Sequence, residues 1–146
     1  MTKATMIRNY RKYNKADYYI IGFTIGDKLY AVGIKEIKPR FLKVEQASRG
    51  QGENLRLRLK REHKEKLKKS AICLGSKNLL NTEKYNKGEI FEKIVTEYYG
   101  QEWKKDNIPF WIQGDIRIDG KEVQIKLDTA TLVNTSQIKK LHKSQR

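Results

Sequence analysis

Between residues 18 and 34 the chain reads YYIIGFTIGDKLYAVGI. Two apolar runs flank Gly26-Asp27, a two-residue turn that predicts a β-hairpin. The turn pairs Phe23 with Tyr30, Ile21 with Val32 and Tyr19 with Ile34, and sets these six on one core face. Gly22 and Gly33 fall on the other face, where they admit close packing. Residues 41–45 suggest a further strand, and SRGQGEN (48–54) is a loop by composition. Leu55-Arg56-Leu57-Arg58-Leu59-Lys60 alternates strictly, with three leucines on one face and three cations on the other. REHKEKLKKS, which follows, predicts a short helix.

The second half has a different rhythm. Lys87 to Tyr99 has helical spacing, with Ile90, Phe91, Ile94, Val95 and Tyr98 on one stripe and Gly100 as its stop. Pro109 to Ile118 and Lys121 to Leu127 predict two strands, and Thr131 to Val133 a short third. Thr135 or Ser136 can cap a final basic helix reaching about His142. Asp119-Gly120 is a strong hairpin turn. It sets Ile118 opposite Lys121, Arg117 opposite Glu122, Ile116 opposite Val123, and Asp115 opposite Gln124. One face then carries Ile112, Gly114, Ile116, Ile118, Val123, Ile125 and Leu127. The other carries Gln113, Asp115, Arg117, Glu122, Gln124 and Lys126, and reads as a polar, solvent-facing surface.

Charge changes the picture. The chain has 146 residues, which fits one domain or one domain with an appendage. Its 32 Lys plus Arg outnumber 17 Asp plus Glu, for a net +15. That argues against an enzyme of neutral small metabolites and for a polyanionic partner, nucleic acid ahead of an anionic membrane. Residues 1–70 hold 19 basic and 7 acidic side chains, and residues 71–146 hold 13 and 10. The chain thus divides into a basic, β-rich N-terminal region (1–70), packed on a core, and that core (71–146). Arg56, Arg58, Lys60, Arg61, Lys64, Lys66, Lys68 and Lys69 form a candidate phosphate-contacting ridge, preferred to a merely solvated face. Arg8, Arg11 and Lys12, with Tyr10 and Tyr13 among them, are candidates for an arm that stacks on or grips nucleic acid, the alternative being a frayed terminus.

Other residues narrow the chemistry. Cys73 is the only cysteine, so a disulfide framework is excluded and a reducing compartment fits. With only His63 and His142 beside it, a structural zinc site is excluded as well. Cys73 reads as a small buried hydrophobe, and Trp103 and Trp111 as core or boundary residues. No apolar run approaches the roughly 18 residues of a membrane span. A cytoplasmic protein is the expectation.

The polar face of the 112–127 hairpin is the sharpest chemical feature. A carboxylate (Asp115) and an amide oxygen (Gln124) on neighbouring strands can both bind a hard cation, with the Ile125 backbone carbonyl as a third oxygen. Lys126 can orient or help deprotonate water and balance phosphate charge. A bound metal would polarise a phosphodiester and supply hydroxide near neutral pH.

Residues 86–142 resemble the PD-(D/E)xK nuclease superfamily. Gly88-Glu89-Ile90-Phe91-Glu92 looks like the first helix of archaeal Holliday-junction resolvases, where a Gly-x-x-Phe-Glu pattern carries a metal-site glutamate. By that match Glu92 is the helix carboxylate, with Glu97 in reserve, and Asp115 is the strand aspartate. Gln124-Ile125-Lys126 matches the Gln-x-Lys form of Mrr-type restriction endonucleases and some transposases. Gly114 stands where the family name has Pro. The resemblance implies a restriction-endonuclease-like α/β (mixed α+β) fold, a central mixed sheet flanked by helices, and Mg²⁺- or Mn²⁺-dependent cleavage of DNA. Catalysis would fall to Asp115, Gln124, Lys126 and Glu92. The family core usually has one more strand after the last helix. Here the N-terminal β region, or a second protomer in a homodimer, would have to supply it. Two rivals stand beside this reading: a non-catalytic DNA- or RNA-binding protein on a nuclease-like or other α+β scaffold, and a basic protein that binds an acidic protein partner.

Overall fold

Both predicted turns form, and both use backbone that favours glycine. Gly26 has φ 58°, and Asp119 and Gly120 have φ 51° and 77°. The computed structural model describes residues 2–47, 52–82, 84–103 and 116–135. Its α-helices are α1 (Lys3–Tyr13), α2 (Arg61–Lys68) and α3 (Lys87–Tyr98). Its strands are β1 (Tyr18–Ile25), β2 (Lys28–Ile34), β3 (Leu42–Gln46), β4 (Glu53–Leu57), β5 (Ile72–Ser76), β6 (Ile116–Ile118), β7 (Lys121–Leu127) and β8 (Thr131–Asn134). The architecture is mixed α+β.

A five-stranded sheet has the order β5-β2-β1-β7-β6, and a three-stranded sheet the order β3-β4-β8. The β1–β2 register is the expected one: Phe23 faces Tyr30, Ile21 faces Val32, and Tyr19 faces Ile34. So is that of β6–β7, where Ile116 faces Val123, Arg117 faces Glu122 and Ile118 faces Lys121. β1 then pairs in parallel with β7, from Tyr18 beside Val123 to Gly22 beside Leu127. The N-terminal hairpin therefore extends the sheet that carries the Gln-x-Lys strand. Both sheets draw strands from either side of residue 70, which divides the charge of the chain rather than its packing.

Two cores follow, one on each face of the larger sheet. On one face Ile20, Leu29, Ala31, Val123 and Ile125 pack with Phe91 and Val95 of α3. Gly22 is what lets α3 approach: a Cβ built there would lie 2.3 Å from the Phe91 ring. On the other face Tyr19, Ile21, Phe23 and Val32 pack with Leu55, Leu57, Leu132 and Val133 of the second sheet. Leu55, Leu57 and Leu59 are buried, as their alternation requires.

Some expectations are corrected. The first 15 residues are not an arm: α1 is capped by Thr2 and buries Met6, Ile7 and Tyr10. Those apolar positions have helical spacing, but the cations between them dominate the local composition. Tyr10 is core and unavailable for stacking on a base. Tyr98 leaves the α3 stripe and is 59% exposed, while Thr96 is buried in its place. Cys73 is exposed, because β5 is an edge strand paired on one side only, with β2. No helix among the described residues is long and apolar enough to cross a membrane.

Candidate functional site

Alternation along β7 decides where each candidate side chain lies. Val123 and Ile125 belong to the α3-side core, so Gln124 and Lys126 project from the opposite face. On that face Gln124 sits beside Tyr19, and Lys126 beside Ile21, their partners on β1. This surface is not solvent-facing at Gln124, which is 7% exposed. The second sheet and α1 pack on the Tyr19, Ile21 and Phe23 side chains of this same face.

The Gln124 side chain carries an anomaly. Its Oε1 is buried and accepts no hydrogen bond from the described residues. A buried amide oxygen without a donor costs about 1–3 kcal/mol. Such a group in a central strand makes Gln124 the candidate ligand-binding residue of this face.

The neighbours of Gln124 are committed. Burial raises the pKa of the Tyr19 phenol, partly countered by the neighbouring Tyr10 side chain, and its hydroxyl donates to Asn14 Oδ1 at 3.0 Å. Across the hairpin Arg117 clasps Glu122, with Nε at 3.0 Å and a closer contact through its terminal nitrogen. That clasp holds the guanidinium charged, raising its pKa. The Glu122 backbone N–H donates to Asp17 Oδ2 at 2.9 Å, which pins the start of β1 to the start of β7. Lys126 is half-buried.

The structure brings Gln124 and Lys126 together and separates them from Glu92. Glu92 lies on α3, across the sheet from their face. Glu97 is exposed on the same helix. Asp115, together with Gln113, Trp111 and His142, falls outside the described residues, and the predicted final helix beyond Thr135 does too. Among the described residues no group of three or more His, Cys, Asp or Glu could hold a metal ion.

The basic ridge divides into two kinds of residue. Arg56 is engaged within the fold: Nε donates to the Thr129 carbonyl at 3.0 Å, and Nη1 lies 3.3 Å from Glu45. Lys64 donates to the Thr24 carbonyl at 3.2 Å and pairs with Asp128 at 3.4 Å. Asp128 also accepts from the backbone N–H groups of Leu59 (2.9 Å) and Thr129 (3.0 Å). These contacts bolt α2 to the end of β7, two residues past Lys126. Arg58, Lys60, Arg61, Lys66, Lys68 and Lys69 are exposed. Arg8, Arg11 and Lys12 are exposed on α1, with Arg11 paired to Glu36. Sequence patterning missed the anchoring role of Asp128. Its one signal was its place directly after the Gln-x-Lys strand.

Comparison with known protein families, with curated proteins and with solved structures finds no match for this chain.

Proposed function

We propose that the chain is a metal-dependent DNA endonuclease with a restriction-endonuclease-like core. The observation that carries this reading is the buried, unpartnered Gln124 Oε1, two residues before Lys126 on one face of a central strand. Asp115 would stand opposite Gln124, one residue beyond the paired Ile116 and Val123. Asp115, Gln124 and the Ile125 carbonyl would then hold Mg²⁺ or Mn²⁺, without Glu92. A bound divalent cation polarises a phosphodiester and supplies hydroxide near neutral pH. Lys126 would donate to a phosphate oxygen and neutralise charge that builds there. The exposed cations of α2, fixed to the end of the same strand through Lys64 and Asp128, would grip the backbone. A second copy related by a two-fold axis would allow both strands to be cut.

The exposed α2 cations also favour a second reading, a DNA- or RNA-binding protein without catalysis. Supercoiled plasmid incubated with Mg²⁺ or Mn²⁺ separates the two. The nuclease reading expects nicked product from the wild type and none from Asp115→Ala or Lys126→Ala. Tight, salt-dependent binding with no nicking of duplex, branched or single-stranded DNA would establish the second reading instead.

A further inference from the structure

β1 and β7 run parallel, and a cavity of about 490 Å³ opens at their carboxyl ends. Phe23, Leu80 and Leu127 supply apolar wall, and Lys64, Lys77 and Lys87 bring three ammonium groups to it. Among the described residues the one carboxylate in the lining is Asp128, and it is spent: one oxygen meets Lys64, and the other takes two backbone N–H groups. Lys77 and Lys87 are exposed and have no acidic partner among the described residues. Lys87 is also the first residue of α3, where the amino end of the helix adds partial positive charge.

We propose that this cavity is a binding site for a nucleotide phosphomonoester. Lys77 and Lys87, without an acidic partner among the described residues, match the roughly −1.5 to −2 charge of such a group, whereas an internal phosphodiester carries a single charge. The apolar wall suits the organic part of the ligand, and the crevice at the carboxyl ends of parallel strands is where mixed and parallel sheets most often take ligands. Lys77 and Lys87 come from outside the 56–69 ridge, so the site is not a restatement of that surface. It lies beside the candidate cleavage face, because Leu127 and Asp128 directly follow Lys126, yet it needs no metal and no cleavage. The phosphomonoester has two sources, a free mononucleotide or the phosphorylated end of a strand.

Binding measured in EDTA tests the proposal without the cleavage reading. The probes are a mononucleotide 5′-monophosphate and a fluorescein-labelled single strand carrying a 5′-phosphate or a 5′-hydroxyl. The wild type is expected to prefer the phosphorylated strand by roughly ten- to hundredfold, the range of charge-assisted contacts. Lys77→Gln/Lys87→Gln should erase that preference. Lys35→Gln/Lys38→Gln, which removes the same charge away from the cavity, should keep it. Competition by the mononucleotide, lost in the cavity variant, assigns the free nucleotide as a source. Preference without competition assigns the strand end. Equal affinity for the two strands with no mononucleotide binding overturns the proposal, as does an unchanged preference in Lys77→Gln/Lys87→Gln. Loss of nicking in Lys126→Ala bears on the cleavage reading alone.

Discussion

β1 and β7 lie side by side in the middle of one sheet, run the same way, and place different chemistry on the same face. β1 puts Tyr19, Ile21 and Phe23 there, all buried in the core shared with the second sheet. At the partnered positions β7 puts Gln124 beside Tyr19 and Lys126 beside Ile21. On their other face the two strands agree, with Ile20 and Val123, Ile125 in one apolar cluster under α3. Past Lys121, which adjoins the turn, the polar residues of β7 are thus confined to one face of one central strand. Stability alone gives no reason for them, since an apolar side chain would serve the packing better. Polar groups that break the local packing rule are the natural candidates for function, which is why the proposed reading rests on Gln124 and Lys126.

Truncating the β1 side should cost the most. Ile21 is 1% exposed, and Ile21→Ala should lower the unfolding free energy by about 2–5 kcal/mol in urea titration. A loss under about 1 kcal/mol would mean that this face is loosely packed and that the contrast with β7 is weaker than drawn. Gly22→Ala tests the opposite face. Its new Cβ meets the fully buried Phe91 ring, so α3 or the ring must move, at about 1–3 kcal/mol.

The β7 side should respond differently. Gln124→Leu removes an unpartnered buried oxygen at little change in volume, so stability should hold or rise by up to about 1 kcal/mol. A loss of more than about 2 kcal/mol would show that the amide makes contacts the fold depends on. Smallest in stability terms is the surface. Arg61, Lys66, Lys68 and Lys69 are exposed, and changing all four to Gln should move stability by about 0.5 kcal/mol or less. The salt dependence of DNA binding should flatten by about 0.9 in log–log slope for each phosphate contact removed. An unchanged slope would move the grip elsewhere on the molecule.

What the sequence disclosed depended on range. The first hairpin and the described part of the second were legible to the residue, because Gly26-Asp27 and Asp119-Gly120 fix register locally through backbone that few residue types adopt. α2 and α3 were legible from period and stops. α1 was hidden by its cations, since only Met6, Ile7 and Tyr10 mark its buried side. The parallel pairing of β1 with β7 joins residues about a hundred positions apart, and no local pattern carries it. β8 follows β7 closely in the chain but joins the second sheet beside β4, a pairing the short strand at Thr131 to Val133 does not announce. Of the site, the shared face of Gln124 and Lys126 followed from alternation. The burial of Gln124 did not, because burial is set by long-range packing that alternation within one hairpin does not carry. Glu92 was drawn toward the site by its motif, and the packing of Phe91 and Val95 sets its helix on the other side.

Titration of Mn²⁺ into wild type and Gln124→Leu, followed by calorimetry, tests most directly whether the oxygen of Gln124 is kept free for a cation. Wild type should bind Mn²⁺ with a defined stoichiometry per chain, and the variant at least about tenfold more weakly, a difference of about 1.4 kcal/mol. Equal Mn²⁺ affinity in a variant that unfolds at the same urea concentration as wild type would contradict it.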